Sequence, residues 1–433
     1  MQASFEKSES LRGDIAVPGD KSISHRAAIV GALCRGSTTI RGYSPAADCS
    51  STCEVLLELG VRITRDPGWV IVEGRGGIGF KQPGGALDAG NSGTTMRLLA
   101  GALAARPITV TLTGDASLRA RPMARIIEPL NLMGASITAE GTGGHPPLEI
   151  RGGALEGIEY SPEVASAQVK SAILLAGVGA SGRTVVHEKM PTRDHTERML
   201  RHMGIGVAKH GLSVEVGPGV PCGCYLDIPG DLSSAAFIIA AALICPGSDI
   251  TVRSVGLNPT RTGFLDLVRR MGADIVVDVE DAGSWEPAGN IRVRQSPLKG
   301  IEMNGRDVAG AIDEVTLVAL LATQAEGPTV IEGATELRHK ESDRIGGTIT
   351  GLSAMGADIR ETEDGMVIEG GRALTGAVVS PNGDHRLAMM FAVAGMAAGG
   401  RTVVRDWECS EISYPGFLEA LRGLGGTGMA FHG

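Results

Sequence analysis

Six stretches of the chain combine a polar cluster at the start with an apolar run of mostly small residues. The first reads "DKSISHRAAIVGAL" and the fourth reads "DLSSAAFIIAAALI". The six stretches cover residues 20–33, 91–105, 166–180, 231–244, 311–323 and 383–395. A helix that is apolar on all sides is typical of a buried helix, and Ser, Asp, Asn or Gly suits the N-cap position. We therefore predict six buried helices, each with an N-cap at its polar start.

A second pattern alternates with the first. An amphipathic helical pattern ends at a glycine and an extended segment usually follows, as in "LDLVRRMGADIVV" at residues 265–277. The six glycines are Gly60, Gly134, Gly204, Gly272, Gly356 and Gly425, the last in a weaker copy of the pattern. Glycine adopts the left-handed conformation at little cost, so each is predicted to close its helix.

The two patterns recur at a spacing of roughly 70 residues, which is too long for a solenoid repeat. Each copy contains one amphipathic helix, one buried helix and several strands. Chance recurrence of common Leu/Gly patterns is the alternative, and the sixfold alternation disfavours it. We predict an α/β (α+β) fold in two globular domains of three repeated units each, with a boundary near residues 226–230.

The composition limits the class of protein. The chain has 433 residues, 43% of them hydrophobic, which suits two large domains with substantial cores. Its net charge of −9 argues against a general nucleic-acid binder. No apolar run predicts a membrane span, and the polar start lacks the apolar segment of a secretory signal. The seven scattered cysteines lack zinc-ligand spacing, so we expect reduced thiols, no metal and a cytoplasmic location.

Basic residues stand at the starts of the buried helices, where a cation opposes the positive end of the helix dipole. They are Lys21, Arg26, Arg97, Lys170 and Arg386. A solvated surface charge is the alternative explanation for any one of them. Their repetition on helices without a polar face favours an anionic ligand at the helix N-termini.

Acidic residues lie among these bases. Asp313 precedes an apolar run, and Glu341 stands beside Lys340. Helix capping by Asp313 and a local ion pair for Glu341 explain them as well as general acid–base catalysis does, and spacing alone leaves both open. No motif of a serine hydrolase, a Walker A loop or a zinc protease is present. The residues thus predict a two-domain protein with a basic cleft for at least two anionic groups and acid–base chemistry without metal or nucleotide.

Longer motifs carry a specific resemblance. They are "PGDKSISHR", "GNSGTTMRLL", "RPMARIIEPL", "SAQVKSAILLAG", "RDHTERML", "GDLSSAAF", "NPTRTGFLDLVRRMGA", "IDEVTLVALLA", "KESDRI", "GDHRLAMMFAVAG" and "SYPGF". With these motifs the chain resembles the 5-enolpyruvylshikimate-3-phosphate (EPSP) synthase family from end to end. The resemblance implies two domains, residues 20–227 and residues 1–19 plus 228–433, each of three βαβαββ-type units with buried parallel helices. It places the active site in the interdomain cleft.

The activity implied by the resemblance belongs to aromatic amino-acid biosynthesis by the shikimate pathway. The carboxyvinyl group of phosphoenolpyruvate is transferred to the 5-hydroxyl of shikimate 3-phosphate by addition and elimination, with release of phosphate. The resemblance implies no cofactor and no metal, and it makes glyphosate a candidate inhibitor. We expect a monomer that binds neither nucleic acid nor membrane.

The matching positions imply a role for each site residue. Asp313 is implied to be the base toward the 5-hydroxyl, Glu341 the acid toward the methylene carbon, and Lys21 a proton shuttle. The shikimate 3-phosphate site is implied to contain Lys21, Ser22, Arg26, Ser166, Ala167, Gln168, Arg193, Asp313 and Lys340. The phosphoenolpyruvate site is implied to contain Lys21, Gly93, Thr94, Arg121, Gln168, Arg344, His385 and Arg386.

Three positions depart from one branch of the family. Ala167 stands where that branch has a second Ser, Ile412 where it has a Lys, and Arg193 where it has a Tyr-containing segment. These departures resemble the other branch, which tends toward herbicide tolerance. That branch often has Ala where this chain has Gly93. We therefore take at least partial sensitivity to glyphosate as a hypothesis.

Two other functions compete with this one. The sister enzymes that act on UDP-N-acetylglucosamine carry a reactive cysteine near the stretch that reads "DASLRARPM" here, and this stretch has none. A non-catalytic anion-binding relative would not need Lys21, Asp313 and Glu341. All three are present, together with Arg386.

Overall fold

The chain divides into two compact units, each with its own set of helices and sheets. A computed structural model describes residues 1–66, 68–76, 79–141, 143–280 and 284–432. The N-terminal unit is Gly19–Ile228, and the C-terminal unit joins Met1–Pro18 to Pro229–Gly433. Within the described ranges, no helix has both the length and the hydropathy that a membrane crossing requires.

The helices include all the predicted buried and amphipathic ones. In chain order they are α1 (Lys21–Leu33), α2 (Ala47–Glu58), α3 (Gly93–Ala104), α4 (Ala116–Arg119), α5 (Ala124–Leu132), α6 (Ala167–Val178), α7 (His195–His202), α8 (Leu232–Ile244), α9 (Gly263–Arg270), α10 (Gly305–Gly310), α11 (Val315–Thr323), α12 (Arg344–Ala354), α13 (His385–Ala397) and α14 (Phe417–Gly423). Two 3-10 helices cover Thr335–His339 and Trp407–Ile412.

The strands are short and form four-stranded sheets. Strands β1 to β12 are β1 (Gln2–Phe5), β2 (Arg12–Ala16), β3 (Ser37–Arg41), β4 (Arg62–Asp66), β5 (Trp69–Glu73), β6 (Leu87–Asp88), β7 (Thr109–Thr113), β8 (Ser136–Gly141), β9 (His145–Arg151), β10 (Glu159–Tyr160), β11 (Thr184–His187) and β12 (Val207–His210). Strands β13 to β24 are β13 (Ser213–Val216), β14 (Tyr225–Asp227), β15 (Asp249–Gly256), β16 (Asp274–Val279), β17 (Ala288–Arg294), β18 (Glu302–Met303), β19 (Pro328–Ile331), β20 (Asp358–Glu361), β21 (Met366–Glu369), β22 (Val378–Val379), β23 (Thr402–Val404) and β24 (Met429–His432).

All six sheets of the described chain share one topology. The N-terminal unit contains the sheets β14-β3-β5-β4, β6-β7-β9-β8 and β10-β11-β13-β12. The C-terminal unit contains β2-β15-β17-β16, β18-β19-β21-β20 and β22-β23-β1-β24. In each sheet the first pair is parallel and the other two pairs are antiparallel. The α/β class and the repeat are confirmed.

Glycines close the amphipathic helices, as the sequence predicts. All six predicted glycines have positive φ, from 81° at Gly60 to 105° at Gly134. A side chain in that conformation is strained, so glycine allows each chain reversal from helix to strand.

Side-chain caps begin five of the six buried helices. The caps are Asp20, Ser92, Ser166, Asp231 and Asp384, and each accepts a hydrogen bond from a backbone N–H of the first turn. Such a cap contributes about 1 kcal/mol. The exception is α11, whose N-cap Glu314 makes no side-chain cap bond. Asp313 lies outside that helix, so the capping interpretation of Asp313 is wrong.

A small residue brings two buried helices of the N-terminal unit close together. An added Cβ at Gly101 of α3 would lie 2.1 Å from the carbonyl oxygen of Ala172 on α6. The two helix backbones therefore touch, and no larger residue fits at Gly101 without moving them. This contact fixes α3 against α6 and so holds the polar residues at their N-terminal ends in register.

Candidate active site

Gln168 connects the starts of two buried helices in the N-terminal unit. Its Nε2 donates to Thr94 Oγ1 of α3 at 2.9 Å, and its Oε1 accepts from Arg97 Nη1 at 2.6 Å. These two bonds fix which way the amide points. Gln168 thus binds Thr94, a second predicted site residue, directly, and Arg97 holds the other end of the Gln168 amide.

Gly93 lies within the same group of side chains. An added Cβ at Gly93 would lie 2.8 Å from Arg97 Nη1 and 3.4 Å from Arg121 Nη1. Arg121 also donates to Asn91 Oδ1 at 2.9 Å, and Asn91 donates to Asp115 at 2.7 Å. Two guanidinium groups therefore converge on the backbone at the start of α3, where free N–H groups also favour an anion.

Lys21 is held at the start of α1 by a carboxylate from α2. Its Nζ lies 2.9 Å from Asp48 Oδ2, and both side chains are largely buried. Such a pair restricts the ammonium group to a small volume. Asp48 is a positioning partner of Lys21 that the sequence motifs did not reveal.

Arg26 lies inside the unit and links three helices. Its Nε donates to Thr196 Oγ1 of α7 at 2.8 Å, and its Nη2 donates to Ser171 Oγ of α6 at 2.9 Å. Its Nη1 donates to the carbonyl of Ser22 at 2.8 Å, within α1. Arg26 is only 2% exposed, so its guanidinium links α1 to α6 and α7 inside the unit.

His25, beside Arg26 on α1, is buried and neutral. Its Nδ1 lies 2.6 Å from Thr52 Oγ1, which in turn lies 2.6 Å from Thr95 Oγ1 of α3. Burial lowers the pKa of His25 to about 3, because the neighbouring Asp48 offsets only part of the desolvation.

The other predicted residues of this unit lie at the same ends of these helices or just before α7. Ser166 caps α6, Ala167 is its first residue and Ser22 is the second residue of α1. Arg193 is half-buried and stands two residues before α7. Lys170 differs from the sequence interpretation, because it is 1% exposed and pairs with two carboxylates rather than facing a cleft.

Arg344 organises the predicted residues of the C-terminal unit. Its Nε donates to Asp384 Oδ2 at 2.8 Å, and its Nη2 donates to Glu341 Oε2 at 2.5 Å. Its Nη1 lies 3.5 Å from Asp313 Oδ1. The structure thus brings Asp313 and Glu341, the two predicted acid–base residues, into contact with Arg344, which is predicted to bind phosphoenolpyruvate.

Asp313 faces three guanidinium groups. Besides Arg344, its Oδ2 lies 3.6 Å from Arg386 Nη2 and 3.7 Å from Arg261 Nη1. Arg386 Nη1 also donates to the Asp313 carbonyl at 3.3 Å. Three cations thus surround the carboxylate that the family motifs imply to be the base.

Charge pairing dominates the titration of Arg344 and Asp384. Burial is the largest effect and would raise the pKa of Asp384, but the charges of Arg344 and His385 and the hydrogen bond from Arg344 together hold that pKa below its ordinary value. Burial alone would lower the pKa of Arg344, and the carboxylates of Asp384, Glu341 and Asp313 raise it instead. Both groups therefore stay charged, and the guanidinium keeps its orientation.

The remaining predicted residues of this unit lie near Arg344 in the chain or on α13. His385 is the first residue of α13 and is 2% exposed. Lys340 is half-buried at the end of the 3-10 helix Thr335–His339. The other 3-10 helix, Trp407–Ile412, ends at Ile412, which stands where one branch of the family has a Lys.

Several positioning residues were not predicted. They are Asp48, Asn91, Arg261 and Asp384. Three of them, Asn91, Arg261 and Asp384, lie inside the motifs quoted above. The sequence therefore showed that they are polar, but it did not indicate which residues they contact. Asp48 lies in no such motif, and only the tertiary contact with Lys21 reveals it.

Comparison with known proteins identifies the family. The family model of EPSP synthase (3-phosphoshikimate 1-carboxyvinyltransferase) matches residues 5–421. The chain belongs to the EPSP synthase family. A 3-phosphoshikimate 1-carboxyvinyltransferase of Geobacillus thermodenitrificans is 50% identical over 418 residues, which cover 96% of this chain and 97% of the relative. One of Geobacillus kaustophilus is 51% identical over 418 residues, covering 96% and 98%.

A solved EPSP synthase structure has the same fold. The enzyme of Acinetobacter baumannii matches with a TM-score of 0.89 at 43% identity, over 99% of both chains. The family and the fold class that the sequence motifs imply are therefore confirmed.

Proposed function

We propose that this member of the EPSP synthase family transfers the enolpyruvyl group of phosphoenolpyruvate to the 5-hydroxyl of shikimate 3-phosphate. Both substrates carry a phosphate and a carboxylate, so their binding calls for several cationic side chains. The two units supply Lys21, Arg26, Arg97, Arg121 and Arg193 in one and Arg261, Lys340, Arg344 and Arg386 in the other.

One observation carries the proposal more than any other. Asp313 and Glu341 both lie against the Arg344 guanidinium, at 3.5 Å and 2.5 Å. If Arg344 binds an anionic substrate, it also holds these two carboxyl groups next to that substrate. One can then protonate the substrate, and the other can take the proton of the attacking hydroxyl. This is the pairing that an addition–elimination reaction needs.

The proposed reaction has two steps. In the addition, the 5-hydroxyl oxygen bonds to C2 of phosphoenolpyruvate while Asp313 takes the hydroxyl proton and Glu341 gives a proton to C3. The product is a tetrahedral ketal with a methyl group. In the elimination, the Glu341 carboxylate takes a proton back from the methyl group, the C2–O bond to phosphate breaks, and the enolpyruvyl ether and phosphate remain. Lys21 gives the departing phosphate a cationic partner and a proton.

We divide the predicted binding residues between the two substrates. We assign five residues to shikimate 3-phosphate: Ser22, Arg26, Ser166, Gln168 and Arg193. At Ala167, where one branch of the family has a second Ser, we assign the contact to the backbone. We assign Gly93, Thr94 and Arg121 with Arg344, His385 and Arg386 to phosphoenolpyruvate. Lys21 serves both substrates, and Lys340 completes the group around Asp313 and Glu341.

Two finer properties are part of the proposal. We expect a monomer, which light scattering at several protein concentrations tests directly. We also expect glyphosate to compete with phosphoenolpyruvate, because Gly93 places no side-chain atom next to the guanidinium groups of Arg97 and Arg121.

Product identification tests the proposed function. Purified protein with both substrates is expected to yield 5-enolpyruvylshikimate 3-phosphate and phosphate in equal amounts, seen by 31P NMR. Either substrate alone is expected to stay unchanged. Phosphate released without the enolpyruvyl ether, or no reaction at all, would refute the assignment.

A further inference from the structure

A buried charge cluster lies beneath the proposed shikimate 3-phosphate site of the N-terminal unit. It consists of Lys170 on α6, Glu188 after β11 and Glu197 on α7, whose side chains are 1%, 3% and 4% exposed. Lys170 Nζ lies 3.0 Å from Glu188 Oε1 and 2.6 Å from Glu197 Oε1. Burying three charges is costly, so such a cluster calls for a function beyond stability.

The cluster forms hydrogen bonds with one residue, Thr192, of the loop between β11 and α7. The backbone N–H of Thr192 donates to Glu188 Oε1 at 3.0 Å, and its hydroxyl donates to the same oxygen. Lys170 Nζ donates to the Thr192 carbonyl at 3.5 Å. The backbone and the side chain of Thr192 are therefore all held, and Arg193 is the next residue.

A second set of contacts fixes the same helices one residue further along. Ser171 Oγ lies 2.7 Å from Thr196 Oγ1, and Arg26 donates to both hydroxyls. Lys170 and Ser171 of α6 thus face Glu197 and Thr196 of α7 in two adjacent contacts. The loop that carries Arg193 is consequently anchored at both ends to the helix that carries Ser166 and Gln168.

We propose that Glu188 and Lys170 are positioning residues for Arg193, which they hold in place for shikimate 3-phosphate through Thr192. The inference rests on the proposed function, in which Arg193 belongs to that substrate site. Glu197 has a different part, because it pairs with Lys170, whereas Glu188 is the carboxylate that accepts from Thr192.

A matched pair of substitutions separates these parts. Glu188→Met and Glu197→Met remove the same charge from the cluster, and each leaves Lys170 one carboxylate partner. Only Glu188→Met removes the acceptor for Thr192. Circular dichroism and thermal unfolding establish that both variants are folded, and a shared loss of stability would not distinguish them.

The decisive readout is the dissociation constant of shikimate 3-phosphate from calorimetry, with KM and kcat as companions. We expect Glu188→Met to bind shikimate 3-phosphate about tenfold more weakly, because a loosened arginine no longer meets the substrate in one geometry. We expect KM for phosphoenolpyruvate and kcat to stay close to wild type, since the lost interaction is made equally in ground and transition states. We expect Glu197→Met to change the dissociation constant by less than about twofold.

A double-variant cycle tests whether the effect passes through Arg193. With Arg193→Ala in the background, Glu188→Met is expected to cause no further loss of binding. Additive losses, equal losses for both single variants, or wild-type binding by Glu188→Met would each overturn the inference. If the wild type binds shikimate 3-phosphate but releases no phosphate with phosphoenolpyruvate, the proposed function fails while the dissociation constants still decide the inference. If the wild type does not bind shikimate 3-phosphate, both fail.

Discussion

Replacing Gly93 by Ala perturbs the proposed phosphoenolpyruvate site at one defined point. The new Cβ would lie 2.8 Å from Arg97 Nη1, which is well inside van der Waals contact. Arg97 is not free to move away, because the same Nη1 donates to Gln168 Oε1 at 2.6 Å. Either the arginine shifts and loosens Gln168, or the start of α3 moves.

The expected magnitude follows from that contact. Overpacking by one methyl group costs about 1–3 kcal/mol, which corresponds to roughly 5- to 150-fold in a binding constant. Glyphosate is longer than phosphoenolpyruvate and needs more of the space beside Gly93. We therefore expect Gly93→Ala to raise the glyphosate inhibition constant within that range and to raise KM for phosphoenolpyruvate by a smaller factor.

The assay is phosphate release at fixed shikimate 3-phosphate, with phosphoenolpyruvate and glyphosate each titrated. Gly206→Ala is the control, because an added Cβ there meets no atom within 4 Å. The reasoning is refuted if Gly93→Ala leaves both constants unchanged, or if KM rises as much as the inhibition constant.

Three further predictions concern other residues. Asp313→Ala is expected to lower kcat by about 10²–10⁴-fold with a smaller effect on shikimate 3-phosphate binding, and retention of more than about a tenth of wild-type turnover would exclude a base. The neutral His25 should make the free energy of unfolding fall as pH drops from 6.5 toward 3, at up to about 1.4 kcal/mol per pH unit, because only the unfolded chain takes up the proton there. Urea titrations should show that His25→Asn flattens this slope between pH 6 and 4, and an unchanged slope would contradict the prediction. Asp384→Asn should lower the free energy of unfolding at pH 7 by about 3–5 kcal/mol, because it uncovers the buried charge of Arg344, and a loss below about 1 kcal/mol would show that other carboxylates suffice.

The fold was largely predictable because its signals are local. Each signal can be recognised in a short stretch of sequence. The signals are a helix without a polar face, a capping residue, and a glycine such as Gly272 that ends a helix. The weakest point was the start of α11, where Glu314 is the N-cap and makes no cap bond. Nothing in the local pattern distinguished Glu314 from Asp313.

The site was less predictable from the residues alone, because its contacts join distant parts of the chain. Arg97 and Gln168 are 71 positions apart, and Lys21 and Asp48 are 27 apart. No spacing rule pairs such residues. The position of Lys170 at a helix start even suggested a ligand cation, whereas two carboxylates from other elements neutralise it. The family motifs supplied roles for individual residues, and the structure supplied the partners that hold them in place.

The most direct test of the account is phosphate release from phosphoenolpyruvate with each of two acceptors. Shikimate 3-phosphate is expected to support sustained turnover, and UDP-N-acetylglucosamine is expected to support none. With Asp313→Ala the first rate should fall to near background. Turnover with the UDP-sugar, or with neither acceptor, would contradict the proposed function.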